Sequence, residues 1–256
     1  MKILATSLIG LFISSSFQCK TNENTIASNS ISINSTSNGF AVIELFTSEG
    51  CSSCPPADAL VSRLSSEIKE NVYVLSYHVD YWDRLGWKDK HSSHLWTQRQ
   101  QDYATHFSLN GAYTPQIVVN GNEEFVGSSA SKLYAAVNKN LKKDINKNDL
   151  TINAKATANN IIVSYTAPQL NDNKVCFALV QLQSSSKVTN GENEGRTLPH
   201  INIVQDFKAI STTNNNKETS FIIPSNFNTN EYKVIAFLQN GYNYNITAAT
   251  SCIIEK

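Results

Sequence analysis

One turn decides the fold, and it reads Thr47-Ser48-Glu49-Gly50-Cys51-Ser52-Ser53-Cys54-Pro55-Pro56. It joins an apolar stretch, 41–46, that predicts a strand to an amphipathic stretch, 57–68, that predicts a helix. The two cysteines therefore lie at the amino end of a helix, where unpaired backbone N–H groups stabilise a thiolate. The adjacent prolines support this start, because N–H groups in the first helical turn have no partner to lose. Since two intervening residues leave both sulfur atoms within disulfide distance, the turn predicts a redox-active pair.

Two other interpretations of this pair are weaker. A zinc site needs four ligands, and the downstream cysteines, Cys176 and Cys252, form no second Cys-x-x-Cys. A purely structural disulfide across so short a loop stabilises a fold little, because loop-closure entropy grows with loop length. The sequence therefore favours thiol–disulfide exchange, with Cys51 as the more exposed, nucleophilic cysteine and Cys54 as the resolving one. This favoured interpretation requires no cofactor and no metal ion.

The amino terminus predicts export. Lys2 precedes an apolar run, 3–13, of about eleven residues, which is too short to span a bilayer and has the proportions of a secretory signal. We interpret 1–19 as a signal peptide of the lipoprotein kind, with Cys19 as the candidate for lipidation, and 20–39 as a disordered tether of Ser, Thr and Asn. The expected location is the periplasm, or a bacterial membrane through a lipid anchor.

Composition divides the remainder at a Lys/Asn-rich stretch, 138–149. Before it, strands alternate with helices; after it, short β-rich runs are separated by Asn, Ser and Gly. The first part, 40–147, predicts an α/β domain, and 150–256 predicts an antiparallel β-sandwich-like domain, α+β overall. Residues 80–112 form an aromatic insertion, whose rings either pack it onto the fold or line a groove for a ligand.

The charge balance limits the partners. The chain has 21 Lys+Arg against 21 Asp+Glu, so it carries no electrostatic footprint for nucleic acid. The partners that we expect are an exported protein or a small-molecule thiol or disulfide, with membrane contact only through a lipid anchor. We expect a monomer.

A second motif places a proline at the head of an apolar strand. Thr114-Pro115 precedes the run 116–120, and a proline is tolerated at the first position of a strand. Strand, Cys-x-x-Cys, helix, strand, insertion, Thr-Pro, strand, Asn-Gly turn, strand and helix in this order resemble the thioredoxin-like fold. The resemblance implies a cis Pro115 beside the cysteines, with Tyr113, Thr114 and Pro115 forming the floor of the substrate site. A cis X-Pro bond is uncommon, so this expectation is specific.

Four separate motifs resemble one narrower family, the bacterial secreted proteins with domain of unknown function 1223. They are Phe46 to Ala59, His78 to Asp89, Tyr113 to Gln116, and Gly191 to Leu198 with His200. Membership implies a thioredoxin-like domain with a β-rich carboxyl-terminal extension, and it implies little about the substrate.

Other polar residues are candidates for auxiliary roles. Glu44 lies in an otherwise apolar strand and would relay a proton to the dithiol, unless it points outward or is paired. The glycine-bracketed loop 191–196 would fold back over the redox site, with Arg196 or His200 favouring the Cys51 thiolate. The alternative is a structural loop that is hydrogen-bonded internally.

The remaining cysteines and histidines leave alternatives open. Cys176 and Cys252 lie in predicted strands of one domain in an oxidising compartment, so they form either a structural disulfide or two free thiols. Several histidines suggest copper delivery together with the Cys-x-x-Cys pair: His78, His91, His94 and His106. A further alternative is a non-catalytic binding module on a thioredoxin scaffold, with the cysteines as a staple.

Overall fold

A computed structural model describes residues 39–144, 150–215 and 217–256. The predicted signal peptide with Cys19, and the predicted tether up to residue 38, lie outside the described residues. Within the described part of the chain, no helix combines the length and the apolar character needed to cross a membrane.

Over the described residues, three α-helices and eleven strands form a mixed α/β fold. In chain order they are β1 (Ala41–Thr47), α1 (Pro55–Glu67), β2 (Val72–His78), α2 (His94–His106), β3 (Gln116–Val119), β4 (Glu123–Val126), α3 (Ala130–Leu141), β5 (Thr151–Ala156), β6 (Asn160–Thr166), β7 (Asn173–Lys187), β8 (Thr197–Ser211), β9 (Glu218–Ile222), β10 (Tyr232–Asn240) and β11 (Ile246–Glu255). The element order is the one predicted. Strands β7 and β8 are longer than their apolar runs, because their backbones stay paired out to Lys187 opposite Thr197.

All the strands join one sheet, in the order β4-β3-β1-β2-β8-β7-β10-β11-β5-β6-β9. β1 lies between β2, which is parallel, and β3, which is antiparallel. Ser76 of β2 pairs with Ile203 of β8, and this parallel contact connects the two halves of the chain. The β-rich half therefore continues the sheet of the first half and does not form the separate sheet that the sequence suggested.

The end of this sheet folds back over its middle. Tyr165 of β6 packs against Phe177 of β7 with ring centroids 4.9 Å apart, and Lys208 of β8 lies over the ring of Phe221 in β9. β6 and β9 are the last two strands in the order, whereas β7 and β8 are central. The strands of the second half thereby enclose an apolar core of their own.

The helices cover opposite faces of the first strands. One core lies between β1 and helices α1 and α3, and the other contains side chains of α2. In this second core Trp96 packs edge-on against Tyr77, with ring centroids 5.3 Å apart, and Tyr103 packs against Phe46 at 6.0 Å. The rings of the aromatic insertion therefore anchor α2 on the sheet, which is the first of the two interpretations given above.

Of the two alternatives for Cys176 and Cys252, the structure has the free thiols and not the disulfide. β10 lies between their strands, where Cys176 is opposite Phe237 and Cys252 is opposite Val234. Neighbouring strands are about 4.8 Å apart, so two strand spacings alone exceed disulfide reach. The side chains also join different apolar cores, on opposite faces of the sheet.

Candidate redox site

The Cys-x-x-Cys turn joins β1 to α1 as predicted. Cys51 and Cys54 form a disulfide, with their Cα atoms 5.4 Å apart. Cys54 is the N-cap residue of α1, and its carbonyl oxygen accepts the Ala57 N–H at 2.8 Å. Pro55 opens the helix, and both prolines occupy its first positions, where no N–H is needed. The pair therefore stands at the positive end of the helix dipole.

The burial of the disulfide differs from the prediction. Cys51 and Cys54 are both 0% exposed, whereas Ser52 and Ser53 between them are exposed. The expectation that Cys51 is the more exposed cysteine is therefore wrong. The physical reason is a loop from a distant part of the sequence, which lies against the turn.

This loop connects β7 to β8 and is held to the turn by polar contacts. Asn193, which is fully buried, donates from its amide nitrogen to the carbonyl oxygens of Glu49 and Cys51, both at 2.9 Å. The carboxylate of Glu192 accepts the Ser52 N–H at 3.0 Å. The prediction that the loop 191–196 folds back over the redox site agrees with these contacts.

Arg196 acts within the loop. Its guanidinium donates to the side-chain oxygen of Asn193 at 2.7 Å, so it orients the amide that contacts the turn. Gly191 and Gly195 adopt positive φ angles of 78° and 79°, which glycine adopts without steric cost. Arg196 therefore reaches the redox turn through Asn193, and the structure shows no direct contact of Arg196 with a cysteine among the described residues.

The Thr-Pro segment lies beside the turn. The Thr114–Pro115 peptide bond is cis, as the resemblance implied. The Ser53 hydroxyl lies 3.5 Å from the Thr114 carbonyl oxygen, and Trp82 donates to the Thr114 hydroxyl at 2.8 Å. Tyr113 is fixed by its own hydroxyl, which donates to Glu124 at 2.6 Å. The two predicted halves of the site are therefore neighbours.

Glu44 serves a different purpose from the predicted relay. Its carboxylate is fully buried and accepts two hydrogen bonds from Arg99, at 2.5 and 2.9 Å, and one from Tyr103 at 2.5 Å. Burial lowers the pKa of Arg99, but the Glu44 charge raises it further, so the guanidinium stays charged. Glu44 is thus the paired glutamate of the alternative interpretation, and it ties α2 to β1.

A cluster that the sequence did not predict lies behind the turn. His200 is 4% exposed, and its Nδ1 is 3.3 Å from Asp58 Oδ1 while its Nε2 is 3.4 Å from Glu49 Oε1. Burial lowers the pKa of His200, but hydrogen bonds and charges from Asp58 and Glu49 raise it to about 9. His200 therefore contacts two carboxylates near the turn and no cysteine sulfur among the contacts of the described residues.

His78 and Asp89 complete the cluster. His78 Nδ1 lies 2.6 Å from Asp89 Oδ2, and the same oxygen accepts the Glu49 N–H at 2.9 Å. Burial raises the pKa of Asp89, but the His78 charge and its hydrogen bonds hold it well below its usual range. The rings of His78 and His200 are in contact, with centroids 4.7 Å apart. Asp89 thus links the cluster to the backbone of the redox turn.

The predicted copper set is not brought together. The half-buried His91 ring lies 5.3 Å from His78 and hydrogen-bonds to Ser184. His94 is exposed beside Asp80, and the His106 ring packs against Phe107 at the end of α2. His94 and His106 therefore lie apart from the contacting pair His78 and His91, and in this structure the cysteines are bonded to each other.

A cavity of about 540 Å³ opens beside α1. Its lining includes Pro55 and Asp58 of α1, together with Arg196 and His200 from the loop and β8. The cavity therefore reaches the buried cluster from the surface, at the helix end that carries the cysteines.

Comparison with known proteins gives a family but no activity. The family model described as protein of unknown function (DUF1223) matches residues 42–239. The crystal structure of the AtR35 protein from Agrobacterium tumefaciens is similar, with 25% identity and a TM-score of 0.61 over 83% of this chain and 93% of that chain. HBP35 of Porphyromonas gingivalis shows a likeness of fold alone, with 16% identity and a TM-score of 0.51 over 86% of this chain and 76% of that chain. No curated protein matches the sequence. Because the family model matches well over half of the chain, the protein belongs to the DUF1223 family of proteins of unknown function.

Proposed function

We propose that the protein is an exported thiol–disulfide oxidoreductase of thioredoxin-like architecture. One observation carries the proposal. A Cys51–Cys54 disulfide stands at the amino end of α1, and Ser53 between the cysteines lies 3.5 Å from the carbonyl oxygen of Thr114, which precedes the cis proline. In thioredoxin-like proteins the backbone before that proline pairs with the substrate peptide, so Tyr113 and Thr114 are the proposed floor of the substrate site.

The proposed reaction is an exchange of two electrons with a partner dithiol. A partner thiolate attacks Cys51 Sγ, a mixed disulfide forms, and the S–S bond breaks to release the Cys54 thiolate. The second partner thiolate then attacks the partner's sulfur in the mixed disulfide and releases the Cys51 thiolate, so the partner is oxidised and the protein is reduced. The reverse sequence reduces a partner disulfide. The reduction potential decides the direction, and the amino end of α1 stabilises the Cys51 thiolate in both.

Access to the disulfide requires the loop 191–196 to move. Both sulfur-bearing residues are fully buried, and Glu192 and Asn193 bond to the backbone of the turn. This burial favours the second candidate function, a non-catalytic binding module in which the disulfide is a staple. The two candidates make opposite predictions for a trapping experiment.

We place the mature protein in the periplasm, or on a bacterial membrane through a lipid on Cys19. The support is the short apolar run 3–13 that precedes this cysteine. An oxidising compartment suits a chain whose Cys-x-x-Cys pair is in the disulfide state. The proposed partners are exported proteins or small-molecule thiols, and the proposed working form is a monomer.

The test uses a Cys54→Ser variant expressed with its own signal in a bacterial periplasm. If Cys51 is the nucleophile, the variant lacks the resolving thiol and accumulates mixed disulfides that non-reducing gels show and that reductant removes. The matched control is the Cys51→Ser/Cys54→Ser double variant, which retains every other cysteine. Purified wild type should also catalyse reduction of insulin by dithiothreitol. Absence of both turnover and trapped partners would establish the binding-module candidate instead.

A further inference from the structure

Three side chains from distant segments converge behind the redox turn. Asp58 lies in α1, His78 ends β2 and His200 lies in β8. Each offers one donor atom, and the three donor atoms all lie within 4.8 Å of one another. All three residues are at least nine-tenths buried, with exposures of 9%, 0% and 4%. Imidazole nitrogen and carboxylate oxygen are the ligands of catalytic zinc and of other first-row transition metals.

His78 presents a nitrogen that the described protein groups do not use. The Asp89 carboxylate accepts from Nδ1 at 2.6 Å, so in the neutral ring the lone pair is on Nε2. This Nε2 is buried and has no hydrogen-bond partner among the described residues. A buried polar atom without a partner costs free energy, and a bound ion or water at this position would remove that cost.

His200 has a carboxylate beside each of its nitrogens, and an ion bound through Nδ1 would replace the proton that these carboxylates stabilise. Its Nε2 faces the carboxylate of Glu49 at 3.4 Å, and its Nδ1 faces Asp58 at 3.3 Å. Each histidine therefore has one nitrogen beside an outer carboxylate and the other directed into the cluster. A carboxylate on the far nitrogen is the usual outer-shell partner of a metal-bound histidine, because it fixes the tautomer and the ring orientation.

The separation of His200 from Asp58 leaves room for one ion that both groups bind. A charge-assisted hydrogen bond between nitrogen and oxygen is about 2.7–2.9 Å long. Two ligands of a tetrahedral Zn²⁺, each about 2.1 Å from the ion, are about 3.4 Å apart. The 3.3 Å between His200 and Asp58 is close to this ligand separation. The other carboxylate oxygen of Asp58 accepts from the Thr47 hydroxyl at 2.8 Å, which fixes the orientation of the group.

We propose that Asp58, His78 and His200 bind one divalent first-row transition-metal ion of the Zn²⁺ type, with Asp89 and Glu49 as outer-shell partners. Asp58 and His200 also line the 540 Å³ cavity, which supplies an entry path and a fourth, exchangeable ligand position for water or a small anion. The proposed site differs from a copper site at the cysteines, because it uses no sulfur ligand and does not require reduction of the disulfide.

His91 is excluded from the ligand set by its own contacts. Its Nε2 lies 2.9 Å from the Ser184 hydroxyl and its Nδ1 lies 3.3 Å from Gln205, so both nitrogens are engaged. His91 therefore stays outside the proposed ligand set, although its half-buried ring contacts that of His78.

The test measures Zn²⁺ and Co²⁺ binding by the oxidised mature chain and by the Cys51→Ser/Cys54→Ser variant, which has no thiolate in the turn. Both should bind one ion per chain, and zinc X-ray absorption should show nitrogen and oxygen ligands without sulfur. His78→Gln and His200→Gln should lose the ion. His94→Gln, which changes an exposed imidazole, is the matched control and should keep it.

Asp89→Asn tests the outer shell. It should weaken binding by about 10–100-fold, because the amide no longer accepts as a carboxylate does. A folded wild type that binds no Zn²⁺ or Co²⁺ at millimolar concentration overturns the proposal, and this measurement depends on no variant. Binding that survives both histidine substitutions, or that shows sulfur ligands, also overturns it. The outcome is separate from the trapping test, since neither experiment requires the other site.

Discussion

Asn193 should control how fast the buried disulfide is reduced. It is fully buried, and its amide donates two hydrogen bonds at 2.9 Å, to the carbonyl oxygens of Glu49 and Cys51. These contacts join the loop 191–196 to the redox turn. We predict that Asn193→Ala exposes the Cys51–Cys54 disulfide more often than the wild type does, because the loop loses its central attachment.

The size of the effect follows from the two bonds. Each buried hydrogen bond contributes about 1 kcal/mol net, so losing both should lower the free energy of loop opening by about 2 kcal/mol. Since 1.4 kcal/mol corresponds to a factor of ten, the open population should rise roughly 30-fold. Reduction that proceeds through the open form should accelerate by the same factor.

The assay follows reduction of the disulfide by excess dithiothreitol, with acid quench, alkylation and mass spectrometry of the peptide that contains Cys51. The matched control is Asn190→Ala in the same loop, because Asn190 is exposed and its side chain bonds to the neighbouring Thr189 and not to the redox turn among the described contacts. Denaturant unfolding of each variant separates loop opening from global unfolding. Equal reduction rates for wild type and Asn193→Ala, with both folded, would refute the argument that this loop limits access.

Three further predictions test the rest of the fold. Arg99→Met should cost about 3–5 kcal/mol in denaturant unfolding, because it leaves the buried Glu44 carboxylate without its cation. Cys176 should resist alkylation of the native protein at neutral pH, as judged by peptide mass spectrometry, since burial raises its pKa to about 12. Gly127→Ala should cost about 1–3 kcal/mol and lower the yield of trapped partners, because the new Cβ would lie 3.0 Å from Pro115 Cβ and displace the Thr-Pro segment.

Each of these three predictions would be contradicted by a specific result. Arg84→Met is the control for Arg99, because its guanidinium nitrogen bonds only to a backbone carbonyl at the surface, and equal losses for the two variants would contradict the buried pair. A Cys176–Cys252 cross-linked peptide from unreduced protein would contradict the free thiols. Unchanged stability and trapping in Gly127→Ala would show that Pro115 can move without consequence.

Much of the fold was predictable because its signals are local. The strand, turn and helix around Cys51 follow from an apolar run, two cysteines and two prolines that are adjacent in sequence. The β-rich half followed from short runs between turn residues. The sequence did not predict that this half joins one continuous sheet. The reason is that the link between Ser76 and Ile203 joins distant residues that only backbone pairing brings together.

The candidate site was predictable only in part, because several of its contacts join residues that are far apart in the sequence. Tyr113, Thr114 and Pro115 were expected beside the turn from the family resemblance, and the contact of Ser53 with Thr114 agrees with it. The burial of the cysteines was not predictable, since the loop that contacts the turn lies about 140 positions away in the sequence. Nor was Glu44 recognisable as the partner of Arg99, because the pair joins two elements whose packing no sequence period encodes.

By itself, the sequence determined the chemistry that needs neighbours along the chain: two thiols at the start of a helix and a proline at the start of a strand. A segment for export stays a prediction from the sequence. Only the tertiary structure decided what surrounds that chemistry. It buried the disulfide, bonded Asn193 to the backbone of the redox turn, and brought Asp58, His78 and His200 together from three elements. The physical reason is that a site assembled across a sheet depends on strand order and register, which are set by packing and backbone hydrogen bonds over the whole chain.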